Sequence, residues 1–298
     1  MKKFPLFILI FFLTLTILYG QENVPYGSNP SAGGYMTVNG IQMYYEIYGT
    51  GEPLVLIHPN KGSSANFYAQ IPFFSKHYKV IVADSRAQGK SGDSNQRLSF
   101  QLMASDWAAL LDQLKIDSAY ICGWGDGGSI GLMLAMDYPK KVKKLASMGG
   151  AILSDTTAYP RFVLEFNKKA IQYIDEKIAG KDTTDNWHRL RKPLEIWNEL
   201  NIPFSDLHRI KAPTIIMVAD KDMIREAHTI KIFQNIEKAH LCIFPGETHD
   251  IPWQDPETFN QAVYRFFSNP YTRPDTESGF NYFRKDMSKF YGNWMDGI

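Results

Sequence analysis

Between residues 53 and 267 the chain repeats one alternation, a short unbroken apolar run followed in most cases by a longer amphipathic stretch. The runs lie at 53–58, 78–84, 119–123, 142–148, 214–219 and 240–245, and the helical segments at 99–114, 129–138, 225–236 and 256–267. Apolar runs of this length without in/out alternation suit strands buried on both faces. Strands alternating with helices predict a mostly parallel sheet covered on both sides. Upstream, 35–38 and 41–48 flank Asn39-Gly40, a strong turn signal, and predict an antiparallel hairpin at the start of the sheet. The expected architecture is therefore α/β, an eight-stranded, mostly parallel sheet with helices on both faces. The alternation breaks once, between Gly150 and Pro213, in a stretch rich in Trp, Lys and Tyr with no clear strand. It is expected to be a helical cap, 151–212, inserted between two parts of the core, 35–150 and 213–268, with a tail at 269–298.

A chain of 298 residues, 44% hydrophobic and 14% aromatic, can bury a large core. Its 32 basic and 31 acidic side chains leave a formal charge of +1. That provides no field to attract nucleic acid or an anionic membrane, so the expected partner is a small molecule. Residues 1–20 carry Lys2-Lys3, an apolar run from Phe4 to Tyr19, and then Gly20, the layout of a secretory signal peptide. Cleavage after Gly20 is expected, followed by a leader at 21–34 and a secreted or periplasmic mature chain that is not in the membrane. Leu18 stands where a small residue is usual, which keeps an uncleaved N-terminal anchor as the alternative. No cysteine follows the run, so a lipid-anchored N-terminus is not expected. The only cysteines, Cys122 and Cys242, sit in strand-like runs and are expected as buried free thiols rather than a disulfide framework.

The segment Ile121-Cys122-Gly123-Trp124-Gly125-Asp126-Gly127-Gly128 reads as a strand entering a helix through a glycine-dense turn. A nucleophile elbow has the form G-x-S-x-G, because small flanking residues let the chain turn sharply and lift a hydroxyl above the sheet. Here the small residues are present and the central position is Gly125. Four further motifs stand in order around it: Leu56-Ile57-His58-Pro59-Asn60-Lys61-Gly62-Ser63, Asp84-Ser85-Arg86-Ala87-Gln88-Gly89-Lys90-Ser91, Asp220-Lys221-Asp222 and Gly246-Glu247-Thr248-His249.

Together these motifs resemble the α/β-hydrolase superfamily over roughly residues 35–270. The resemblance implies that His249 is the base, Asp222 (or Asp220) the acid that orients it, and Gly125 the nucleophile position. It implies an oxyanion hole from the backbone N–H groups of Asp126 and Asn60, a pocket that includes His58 and Trp124, and a role for His58 in supporting its loop by hydrogen bonding. A neutral histidine can accept a proton near neutrality, since its ordinary pKa is about 6.5, and a carboxylate on its other nitrogen fixes the tautomer. The remaining histidines, at 77, 188, 208, 228 and 240, show no metal-ligand spacing, so neither metal nor cofactor is expected.

Two departures from the family pattern bear on activity. Glycine at 125 cannot form an acyl-enzyme, and loss of the nucleophile in a serine protease costs on the order of 10⁶ in kcat. Pro59 stands where the family has glycine, so the oxyanion loop is stiffer and has one N–H fewer. Moving the frame to make Asp126 the nucleophile would put Trp124 where a small residue is needed. Ser129, Ser63 and Ser64 have no evident base. Asp84 and Arg86 are expected as a structural turn pair, and Trp124, Trp187, Trp197 and Trp253 as pocket lining or core. Three readings follow: His249 and Asp222 activating water or substrate directly on an ester-like apolar substrate; a non-catalytic binding protein; or a serine hydrolase whose glycine is local to this sequence.

Overall fold

The computed structural model describes residues 24–273, 275, 276 and 279. The expected signal peptide and most of the expected tail lie outside them. Eight strands form one sheet: β1 (Gly33–Val38), β2 (Ile41–Tyr48), β3 (Pro53–Ile57), β4 (Lys79–Ala83), β5 (Ala119–Trp124), β6 (Val142–Met148), β7 (Thr214–Ala219) and β8 (Ala239–Phe244), in the order β1-β2-β4-β3-β5-β6-β7-β8. β1 pairs antiparallel with β2, and β2 antiparallel with β4, while every later pairing is parallel. The hairpin turns where expected, at Asn39 (φ 42°) and Gly40 (φ 80°), with Val38 opposite Ile41. β1 begins two residues inside the expected leader, because Glu46 collects that segment: its carboxylate accepts from the N–H groups of Gly27 and Asn29 (both 2.8 Å) and from the hydroxyls of Tyr44 (2.5 Å) and Tyr48 (2.7 Å).

The longer helices are α1 (Phe100–Gln113), α2 (Asp126–Asp137), α3 (Arg161–Ala179), α4 (Trp187–Glu195), α5 (Glu226–Gln234) and α6 (Pro256–Ser268). Ser99 caps α1 by accepting from the N–H of Leu102 at 3.1 Å, and Asp255 caps α6 through Thr258 at 3.1 Å. One face of the sheet carries α1, α2 and α5 over a core that includes Trp107, Leu132 and Ile232; the other carries α6 over Trp124, Phe259 and Phe267. Helix α2 begins three residues before the expected 129, because Gly125 lets the strand turn directly into it. Between β6 and β7 the chain leaves the sheet and forms α3 and α4, which pack on one another.

The turn after β4 differs from expectation in one respect. Asp84 and Arg86 do not bond each other. Asp84 accepts from the N–H and hydroxyl of Ser64 (both 2.7 Å) and from the N–H of Lys90 (2.7 Å), whereas Arg86 makes a two-pronged pair with Asp106 on α1, both contacts 2.7 Å. Cys122 is fully buried and free, but Cys242 is free and only half-buried because β8 is the edge of the sheet. Among the described residues no helix is long and apolar enough to cross a membrane.

Candidate active site

β5 and α2 meet at Gly125, whose backbone lies at φ 58°, ψ −123°. A side chain in that region is strained by roughly 1–3 kcal/mol, a cost glycine avoids. The turn is pinned on both sides: the N–H of Gly125 donates to the carbonyl of Met148 at 2.8 Å, and its carbonyl accepts from the N–H of Gly128 at 2.8 Å. A Cβ built on Gly125 would lie 3.0 Å from Nε2 of His249 and 3.2 Å from Cβ of Pro59. The imidazole therefore faces the elbow at close range.

His249 lies on the loop after β8, and its Nδ1 is 2.7 Å from Oδ1 of Asp222, on the loop after β7. With the proton on Nδ1 shared with the carboxylate, Nε2 turns its lone pair to Gly125. Asp222 is held in turn by the N–H of Ile224 at 2.9 Å. The alternative acid, Asp220, is engaged elsewhere and accepts from the N–H of Gly246 at 2.9 Å. Burial pushes the His249 pKa down, but the hydrogen bond and charge of Asp222, with smaller help from Asp250 and Asp126, outweigh it and leave the group raised above its ordinary value.

Asp126 is the first residue of α2, so its backbone N–H has no partner within the helix. Its carboxylate faces the cavity, where Oδ2 accepts from Nδ2 of Asn60 at 2.6 Å and Nε1 of Trp197 lies 3.0 Å from Oδ1 and 3.2 Å from Oδ2. Burial drives its pKa up to about 6, against the bonds from Trp197 and Asn60 and the nearby His249. Asn60 also donates to the carbonyl of Pro193 at 2.6 Å, and so ties the loop after β3 to α4. Its own Oδ1 is buried without a partner among the described residues.

These groups line a chamber of about 320 Å³ with Pro59, Gly125 and Trp253. Trp124 lines it from below: its ring packs 4.7 Å from that of Trp253, and its Nε1 donates to the carbonyl of His249 at 2.8 Å. His58, expected in the pocket, lies outside the lining. It is buried beneath the loop, with Nε2 accepting from the N–H of Ser85 and Nδ1 donating to the carbonyl of Pro59, both at 2.8 Å. That bonding makes it a brace for the turn. Of the four tryptophans, Trp124, Trp197 and Trp253 line the chamber, while Trp187 sits at the far end of α4 with Nε1 3.2 Å from Asp182. Ser129 is buried and accepts from the N–H of Ala151 at 3.0 Å, and Ser64 is spent on Asp84. Sequence reading missed Gly149, Tyr159 and Met223, which line or shape the chamber and carry no motif.

An eight-stranded sheet of this order, with an elbow after β5, a histidine after β8 and an acid after β7, defines the α/β-hydrolase class. The model of the alpha/beta hydrolase fold matches residues 52–186. A protein named as a carbamate hydrolase, from Azorhizobium caulinodans, is 34% identical over 252 residues, 75% of this chain and 94% of that protein. The chain belongs to the alpha/beta hydrolase fold family. It is also similar to a mouse serine hydrolase, 26% identical over 78% of this chain and 84% of that protein, and to a 2-hydroxy-6-oxo-6-phenylhexa-2,4-dienoate hydrolase of Burkholderia cepacia, 25% identical over 81% and 98%. Among solved structures, a hydrolase from Pseudomonas aeruginosa superimposes with a TM-score of 0.69 at 20% identity, over 81% of this chain and all of that one. The fold is likewise shared with an enol-lactonase from Burkholderia xenovorans, at a TM-score of 0.66 and 18% identity, over 79% of this chain and 100% of that one.

Proposed function

We propose that this chain is a hydrolase-family protein that takes a small, largely apolar ester or related acyl compound, and that Gly125 occupies the nucleophile position. His249, oriented by Asp222, then acts on a water or on the substrate directly, without an acyl-enzyme. The observation that carries this reading is the 3.0 Å between Nε2 of His249 and the point where a Cβ on Gly125 would lie, combined with the 2.7 Å bond from Nδ1 to Asp222. A base is aimed at the elbow, and the elbow offers it no hydroxyl. The N–H of Asp126, at the positive end of α2, is the donor available to a developing oxyanion, and the backbone of Asn60 is the second donor in this reading. Pro59 lowers the donor count of that loop.

The second reading is a binding protein without turnover. It is supported by how tightly Pro59 and His249 close on Gly125, since a Cβ there would lie 3.2 Å from Pro59. Replacing Gly125 by Ser separates the two. If the base is positioned for catalysis, Gly125→Ser is acylated by an activated ester with a burst of product and labelled by a serine-directed phosphonate. A folded Gly125→Ser chain that resists both reagents leaves the binding reading standing. The native chain, in the enzyme reading, hydrolyses the same ester slowly and without a burst.

A further inference from the structure

The imidazole of His249 is held at one ring atom by Asp222, and the loop that carries it is held at a second point by the strand that carries the elbow. Trp124 is the last residue of β5, paired with Met148 of β6 in the middle of the sheet and directly preceding Gly125. Its side chain is buried, and its Nε1 donates to the main-chain carbonyl of His249 at 2.8 Å. The gap from elbow to base is thus spanned by one rigid side chain with few rotatable bonds. Burial of an indole does not by itself produce such a bond in this fold. Trp107 is fully buried on α1, and its Nε1 has no partner among the described residues.

Trp124 is braced in turn. The ring of Trp253 meets it edge-on, with centroids 4.7 Å apart and planes at 85°. Nε1 of Trp253 donates to the carbonyl of Asn66 at 2.7 Å, and Nε2 of the buried Gln70 donates in the opposite direction, to the carbonyl of Pro252, also at 2.7 Å. Asn66 and Gln70 follow Asn60 on the connection between β3 and β4. One side chain from each segment therefore ties down the main chain of the other, which joins the loop of the base to the connection that carries Asn60.

We propose that Trp124, braced by Trp253, is a positioning residue for His249: it sets the distance from the base to the elbow and, through Trp253 and Asn66, to the loop that carries Asn60. The inference rests on the proposed function only for what the base then acts on. Asp222 alone does not fix that distance, because a bond at Nδ1 lets the ring travel with its loop. A displacement of about 1 Å can cost on the order of 100-fold in rate.

Trp124→Phe keeps a ring and removes the N–H. By NMR, the low-field Nδ1–H resonance of His249 should move or broaden, and the ring should titrate at lower pH than in the native chain, because a displaced imidazole loses part of its bond to Asp222. Added to Gly125→Ser, the same change should slow acylation by an activated ester by about 10- to 100-fold, with the half-saturating concentration unchanged. Trp107→Phe is the control for lost bulk: it should lower stability and leave the resonance and titration of His249 where they were. A folded Trp124→Phe chain in which His249 keeps its native resonance and titration, or a Trp107→Phe chain that shifts His249 as much, overturns the proposal. If Trp124→Phe does not fold, the native protein decides. There the Trp124 indole N–H should exchange slowly with water and shift along with the titration of His249, and fast exchange, or a shift independent of that titration, is the contrary result. The two readings fail separately: resistance of Gly125→Ser to acylation removes the catalytic reading, while the NMR comparison needs no turnover and still decides the positioning.

Discussion

Gly149 and His249 touch so closely that no side chain fits between them. A Cβ on Gly149, at φ 60°, would lie 2.5 Å from Cε1 and 2.7 Å from Nδ1 of the imidazole. The loop after β6 is thus the surface against which the imidazole of His249 is seated. Gly149→Ala should push His249 off Asp222 and cost about 1–3 kcal/mol for the positive φ alone. The check is the low-field proton resonance of the Nδ1–H bond together with a urea unfolding curve. A variant that keeps both the resonance and native stability would refute the seating argument.

Asp222→Asn should lower the pKa of His249, since it removes the hydrogen bond and the charge that offset burial. Because the folded value is raised, His249 contributes stability that is fully present below its unfolded pKa of about 6.5 and is lost as pH rises through the folded value. In the variant that low-pH contribution should shrink. NMR titration of the His249 ring protons gives the first quantity, and unfolding at pH 5 and pH 8 gives the second.

Asp126 runs in the other direction. Its carboxyl is buried and titrates at about 6 instead of 3.8, so the folded state holds the proton more tightly than the unfolded state does. Stability from this group is greatest below pH 3.8 and declines as pH rises to about 6, by an order-of-magnitude 3 kcal/mol. Wild type should therefore lose stability relative to Asp126→Asn across pH 4 to 7. A difference that stays flat across that window would show that Asp126 titrates normally. His249, which faces the same chamber, has to be followed in both proteins.

Arg86 and Asp106 form a pair with side chains 0% and 1% exposed, and Nδ2 of Asn39 also donates to Asp106 at 2.9 Å. Removing one member leaves a buried charge unpaired, so Asp106→Ala should cost about 3–5 kcal/mol. Replacing both residues with apolar ones should cost far less. A double-mutant cycle in guanidinium measures the difference.

Export is tested by the N-terminus of the protein recovered outside the cytoplasm. Edman sequencing should begin near Gln21. A chain beginning at Met1 in the membrane fraction would favour the uncleaved anchor instead.

Much of the architecture was legible because it rests on local signals. Apolar runs without alternation marked β3 to β8, and Asn39-Gly40 marked the hairpin. His249 and Asp222 could be named because each follows a strand end. What the sequence concealed depends on contacts between distant segments. Arg86 finds Asp106 rather than Asp84 because α1 brings a second carboxylate to the same side. Asn60 was read for its backbone, yet its side chain reaches Asp126 and Pro193, a choice made by where α4 lands. Gly149 matters only because a ring from a hundred residues further along the chain rests on it.

The bonds that complete the chamber join residues far apart in order of synthesis. Asn60 waits for Asp126 and then for Pro193, Asp126 waits for Trp197, and Trp124 waits for His249, over spans of 66, 133, 71 and 125 residues. Long closures of this kind are entropically the last to be rewarded. On a ribosome the early strands can pair while the polar groups of the pocket are still without their partners, and the cavity takes shape only once the chain has emerged past residue 249. Ligand binding is therefore a reporter of the final step of folding, and a nascent chain stalled before that point would hold much of the sheet and a chamber without its imidazole.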